Sequence, residues 1–220
     1  MDLPGNGRHH HLSSPTSIPK ATEFLREELK RTRPGPVFLF SISMGSMVAI
    51  DWASRFPDEV LGVVLINTSV KGLSPFYQRL RSEVWVKIFQ MILLNSLSQR
   101  EREILVLTAN SAVANDPSVL KARVQAYEKH PVRKTNVFRQ LFAALMFQPP
   151  IQRPNVPMLL LSSERDRLTH PSCGEAIARH WQLTRKVHPT AGHDLPLDDP
   201  AWTIDETKSW FVSLLSQRQG

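Results

Sequence analysis

Three residues of this chain have the types that acyl transfer needs together: Ser43, Asp166 and His193. A serine hydroxyl is a weak nucleophile until a base takes its proton. Histidine can do that near neutral pH, and a carboxylate can hold the ring in one tautomer and stabilise the imidazolium. Ser43 stands in FLFSISMGSMVAI, residues 38–50, where one apolar run stops at Ser41-Ile42-Ser43-Met44-Gly45 and another resumes with a different rhythm. A sharp strand-to-helix turn would lift Ser43 clear of both elements. Such a turn needs small residues two before and two after the serine, and Ser41 and Gly45 are both small.

These residues can only meet if the right elements carry them. Residues 37–40, 61–66 and 158–161 are short, continuously apolar runs, the pattern of strands covered on both faces. A further short strand is expected near 185–188. Residues 20–32, 44–56, 171–182 and 200–216 read as helices. Asp199-Pro200 makes a good start for the last one, with Asp as N-cap and Pro at the first helical position. Strands alternating with helices predict an α/β fold with a parallel sheet. In such sheets ligands sit beyond the carboxyl ends of the strands. The first three strands run out into Ser43, Asn67 and Asp166, and the polar loop 189–199 after the fourth holds His193. Residues 70–150 break the alternation. Helical patterns at 84–97, 99–110, 117–129 and 135–147 dominate there, and the block reads as an insertion over one end of the sheet.

Other residues compete for these roles. Glu164 lies two residues before Asp166. His188 falls within the last strand, where a structural role is expected. His9-His10-His11 would point in different directions in a strand or turn and lack helical ligand spacing, so they read as a solvated loop rather than a metal site. Cys173 adjoins no elbow, and as the single cysteine it cannot form an internal disulfide, which points to a reducing compartment. Asn67 holds a strand end but cannot act as an acid. Trp85, Ile88, Phe89, Ile92 and Leu93 form an apolar helical face, read as packing first and acyl-chain contact second.

Ser41-Ile42-Ser43-Met44-Gly45 resembles the nucleophile elbow of the alpha/beta-hydrolase superfamily, with Ser41 in place of the usual first glycine. The chain order Ser43, Asp166, His193 matches that family's order. Its small residue three positions before the acid fits Ser163 and selects Asp166 over Glu164. Asp2-Leu3-Pro4-Gly5-Asn6-Gly7 is similar to the family's aspartate-rich loop, and Ala191-Gly192-His193-Asp194 to its histidine loop. The resemblance implies a core of residues 1–69 and 151–220 and a helical cap of residues 70–150. It also implies an oxyanion hole with the backbone N–H of Met44 as one donor. The other donor comes in relatives from a loop after an earlier strand, often at a His-Gly sequence. Residues 1–36 supply neither. The strand at 37–40 is therefore expected to be an open apolar edge. The reading is of an N-terminally incomplete fold: an internal methionine of a longer protein, or a truncated gene.

The 220 residues, 41% of them hydrophobic, suffice for one sizeable core. Net charge is +7, and residues 71–155 carry 13 Lys and Arg against 5 Asp and Glu, whereas the remainder holds 14 against 15. This basic segment reads as a solvated helical surface, with an acidic carrier protein as the partner it would attract. No nucleic-acid motif, membrane span, secretory leader or cofactor is implied, and the expected location is cytoplasmic. The expected function is a serine hydrolase cleaving a carboxylic ester or related acyl substrate. Two readings share the same residues: a catalytically impaired remnant acting as a binding module, and an acyltransferase using the same triad.

Overall fold

A computed structural model describes residues 1–94, 96–110 and 112–217; the side chains of 92, 93, 112 and 217 also lie outside the described residues. Ile92 and Leu93 of the expected apolar face thus fall outside the description.

Four strands, β1 (Val37–Ile42), β2 (Val60–Ile66), β3 (Met158–Ser163) and β4 (Thr184–His188), form a parallel sheet in the order β1-β2-β3-β4. Helices α1 (Ile18–Thr32) and α2 (Met44–Arg55) flank β1 in the chain. Five more stand between β2 and β3: α3 (Phe76–Arg79), α4 (Ser82–Leu93), α5 (Leu97–Thr108), α6 (Pro117–Lys129) and α7 (Lys134–Met146). Helix α8 (Ser172–Trp181) joins β3 to β4, and α9 (Leu195–Asp198) and α10 (Pro200–Gln217) follow. The architecture is the α/β fold with a parallel sheet that the sequence predicts. The differences are local. Residues 195–198 form a helical turn within the expected polar loop, β1, like β3, outruns its apolar run by two residues, and α3 is a short helix that the periodicity does not mark.

The central strands are apolar throughout because both faces are covered, and successive side chains serve opposite layers. Val63, Leu65 and Leu160 pack against α1, α2 and α8 through Ile18, Leu25, Ile50, Ala53 and Ile177. Val64, Ile66, Leu159 and Leu161 pack on the other side, against Ala191, Leu195, Trp202 and Trp210. Helix α10 begins as predicted, with Asp199 Oδ1 accepting the Trp202 N–H at 2.9 Å. On the first layer, Glu59 ties α1 to α2. Its carboxylate accepts from Arg26 Nε and Nη2 at 2.8 and 2.6 Å and from Trp52 Nε1 at 2.9 Å.

The two sheet edges differ. β4 carries Arg185 and Lys186, charges that discourage further strand pairing. Among the described residues β1 pairs only with β2, and its Phe40 is 55% exposed. A groove of about 780 Å³ follows that edge, lined by Leu25, Leu29, Phe38, Leu39 and Phe40. The open apolar edge expected for residues 37–40 is therefore present. Residues 1–36 contain no strand; they hold a 3₁₀ turn at Gly7–His9 and α1.

The N-terminal segment is tied to α7. Asn136, buried, accepts the Ser14 N–H at 2.9 Å and donates Nδ2 to Leu12 O at 2.9 Å. Ser14 Oγ donates to Pro4 O at 2.7 Å and accepts from Gln140 Nε2 at 2.8 Å. The three histidines do not all diverge as expected: the His10 and His11 rings meet edge-on, 5.8 Å between centroids, and only His9 turns away. His9 meets Glu28 at 3.5 Å, and the His10 ring lies 5.2 Å from that of His130. No group of metal-ligating side chains occurs among the described residues, and no described helix is long and apolar enough to cross a membrane.

Candidate active site

β1 ends at a strained turn. Ser43 has φ 53° and ψ −120°, a left-handed conformation that costs a non-glycine residue about 1–3 kcal/mol. The surroundings enforce it. Ser43 N donates to Ile66 O at 2.9 Å, and Ser43 O accepts from Thr68 Oγ1 and Ser46 N, each at 3.0 Å. Ser41, in place of glycine, uses its hydroxyl: Oγ donates to Val64 O at 2.8 Å. Met44 is the first residue of α2, where the backbone N–H groups have no intrahelical acceptor and the helix dipole favours negative charge.

The sequence reading gives Gly45 the task of making room. The packing does not require it. Outside its chain neighbours and its own helix backbone, a methyl group at Gly45 would come no nearer than 4.0 Å to a heavy atom, that atom being Ser41 Cβ.

Asp166 and His193 meet at the far side of the sheet end. His193 Nδ1 lies 2.7 Å from Asp166 Oδ2, and both residues are buried. The second carboxylate oxygen, Oδ1, accepts from the Leu168 and Thr169 N–H groups at 2.8 and 2.9 Å, so the carboxylate cannot turn away. Burial by itself disfavours the charged ring. The charge of Asp166 and its hydrogen bond outweigh that, and His193 stands above the ordinary value of 6.5. With Nδ1 engaged, Nε2 is the ring atom left to exchange a proton. Ser43 Oγ has no hydrogen-bond partner among the described residues.

The histidine loop is clamped from three directions. Asn67, with φ 43°, donates Nδ2 to the carbonyls of Gly192 and His193 at 3.1 and 2.8 Å. It also donates to Ser163 Oγ at 2.9 Å and accepts the Ser163 N–H at 2.8 Å. His188 accepts the Ala191 N–H at 2.8 Å through Nδ1 and holds Asp199 at 3.2 Å through Nε2, the structural role expected of it. The end of α5 closes the third side. Asp194 N donates to Thr108 O at 2.8 Å, and Asp198 Oδ2 accepts from Gly192 N at 2.6 Å and Asn110 N at 3.0 Å. A Cβ on Gly192 would lie 2.7 Å from Thr108 O, so the close approach of α5 demands glycine there.

A cavity of about 250 Å³ opens beside Ser43 and Met44. Its other walls include Val137, Leu141 and Leu145 of α7, Leu80 after α3, and Leu168 in the acid loop. The sequence reading does not single out α7 as a cavity wall, and on the α4 face it puts packing first and acyl contact second. Trp85 and Ile88 of α4 do pack, with Leu80, Val84 and Leu107, and Phe89 faces solvent. Asn67 and Arg79, the latter also a wall of the cavity, were missed as well. A polar residue closing an apolar strand is the one signal that marked Asn67. Cys173 is fully buried, and that burial pushes its thiol up, away from the reactive thiolate.

The fold and these residues can be set beside known proteins. A pimeloyl-[acyl-carrier protein] methyl ester esterase of Neisseria meningitidis is 23% identical over 203 residues, 85% of this chain and 72% of that one. The chloroplastic protein PHYLLO of Arabidopsis thaliana is 32% identical over 90 residues, which span 37% of this chain and only 5% of that one. Among solved structures, a thermophilic esterase from Thermogutta terrifontis matches with a TM-score of 0.72 at 21% identity, over 96% of this chain and 78% of its own. The family model described as serine aminopeptidase, S33 (Hydrolase_4) matches residues 4–200, and the chain belongs to that family of hydrolases.

Proposed function

We propose that this protein is a serine esterase in which Ser43, His193 and Asp166 form a catalytic triad. The observation that carries the reading is the buried 2.7 Å contact between His193 Nδ1 and Asp166 Oδ2, at the same sheet end as the strained Ser43 turn. Ser43 Oγ attacks the carbonyl carbon of the ester while its proton passes to His193 Nε2. The tetrahedral oxyanion is met by the Met44 N–H and the positive end of α2. The C–O bond then breaks, and the alcohol leaves with the proton from His193. Water, deprotonated by His193, releases the acid and restores Ser43. Asp166 orients the ring and stabilises the imidazolium. No step calls for a cofactor. In this reading residues 70–150 act as a cap, since α7 walls the cavity and the end of α5 clamps the histidine loop.

Esterases among the similar proteins support a small carboxylic ester as substrate. A second reading, an acyl group delivered on an acidic carrier protein, rests on the excess of Lys and Arg in residues 71–155 and would show as salt-sensitive binding. The test of the main reading is a fluorophosphonate probe on the purified protein, with peptide mapping of the adduct. Labelling of Ser43, abolished in Ser43→Ala, is expected. A folded sample that does not label at Ser43 overturns the proposal.

A further inference from the structure

Among the described residues Arg79 is a buried cation without a counter-ion. It ends α3, is 6% exposed, and lines the cavity that Ser43 opens into. Two of its five N–H donors are used: Nη1 donates to Leu145 O at 2.8 Å and Nη2 to Ala144 O at 2.6 Å, both in the last turn of α7. Its Nε is buried and has no acceptor among the described residues. No carboxylate of the described residues lies within ion-pair distance of it. The partly covered Arg26 and Arg123 each meet a glutamate, at 2.6 and 3.1 Å. The α7 carbonyls satisfy N–H groups and bring partial negative charge, but they leave a full positive charge in a mostly apolar pocket, where an unpaired ion is costly.

A carboxylate is the ligand that matches. The guanidinium is planar and keeps N–H donors beyond the two that the α7 carbonyls take, and Arg79 is a wall of the cavity, where a carboxylate is the anion that matches a guanidinium fork. Around it the cavity is mostly apolar, with Met47, Leu80, Val137, Leu141 and Leu168 beside the polar Ser69, Gln140 and Thr169, and small enough to favour a short chain. We infer that Arg79 binds a carboxylate at the far end of the acyl chain, so that the preferred substrates are half-esters of short dicarboxylic acids. The inference rests on Ser43 acting as the nucleophile of the same cavity.

The experiment compares mono-(4-nitrophenyl) glutarate with its uncharged isostere, 4-nitrophenyl 5-methylhexanoate. Wild-type protein is expected to favour the glutarate ester by about 10-fold or more in kcat/KM, the size of one hydrogen-bonded charge contact. Arg79→Gln should bring that ratio towards one, chiefly through KM, and Arg79→Lys should keep part of it. Should both esters fall by the same factor, with the ratio intact, Arg79 only caps α7 and the inference fails. A wild-type ratio of one or less overturns it equally. If Arg79→Gln does not fold, the wild type still decides: free glutarate should protect Ser43 from the fluorophosphonate where glutaramide does not, and equal or no protection rejects the inference. The two readings fail separately. Absence of labelling at Ser43 removes the esterase reading and this one with it, whereas labelling and turnover without charge preference remove only the role of Arg79.

Discussion

The side-chain amide of Asn67 donates to the carbonyl oxygen of His193 across 2.8 Å. With its bonds to Gly192 and Ser163, this one residue fastens the histidine loop to the ends of β2 and β3. Asn67→Ala should leave two buried carbonyls and the Ser163 N–H unsatisfied, at about 2–3 kcal/mol. Activity should fall at least tenfold, because His193 loses its placement relative to Ser43. Asn67→Asp should be no milder, since a carboxylate would face two carbonyl oxygens. Urea titration together with esterase kinetics checks both; full activity in Asn67→Ala would show that the loop is held without it.

The raised pKa of His193 has a kinetic signature. In the proposed triad only the neutral ring can accept the Ser43 proton, so kcat/KM should rise with pH along an acid limb whose midpoint lies above 6.5. The linkage sign agrees: a His whose pKa is raised by folding contributes stability fully below its unfolded value and loses it as pH climbs through the folded one. The protein thus gives up that stabilisation over the interval in which it gains activity. Asp166→Asn removes the charge that raises His193 and leaves the burial that lowers it. The limb should move to lower pH, and kcat should drop by about 10⁴ from loss of the correct tautomer. A pH–rate profile of the variant reads both effects.

Much of this was legible from sequence because it is local. A continuous apolar run ending in a small polar residue marks each central strand, and Asp199-Pro200 marks the start of α10 by rules that span only a few residues. The charge and turn patterns around Ser43, Asp166 and His193 lie at such ends. What stayed hidden is long-range. Asn67 reaches partners 96 and 126 residues away, and no periodicity encodes that meeting. The wall of the cavity was hidden for a related reason. Hydrophobic period shows that α4 and α7 each have an apolar face, but not which of the two faces Ser43, because orientation within a helical layer depends on the whole packing. Arg79 reads as one more base in a basic segment until its burial is known.

Glu59 should govern acid stability at the first helical layer. Its hydrogen bonds from Arg26, opposed by partial burial and aided by Trp52, hold its pKa down at about 2 against an ordinary 4.5. A depressed carboxylate contributes stability above its unfolded value and loses it as pH falls through the folded one, here between about 4.5 and about 2. The side chain is 31% exposed, so solvent screening limits the contribution to about 1 kcal/mol. Glu59→Gln should lose about that much at pH 7 and nearly nothing at pH 2. Thermal melts of both proteins across that range test it, and a difference that persists unchanged at pH 2 would place the effect in packing rather than charge.

Two glycines make opposite predictions from the same atom. A methyl at Gly62 would lie 2.9 Å from Phe38 Cε1 and 3.0 Å from Trp210 Cη2, two rings packed over the sheet. Both ring edges must shift to admit it, so Gly62→Ala should cost about 1–3 kcal/mol by overpacking. At Gly45 the nearest atom outside its chain neighbours and its own helix backbone stands at 4.0 Å, and the residue is already helical. Alanine there limits the unfolded chain without meeting anything folded, which should stabilise by about 0.4–1 kcal/mol. Denaturation midpoints of the two variants should therefore move in opposite directions. If Gly45→Ala destabilises as much as Gly62→Ala, the turn at Ser43 is more crowded than its distances indicate, and the room that a glycine provides is needed there after all.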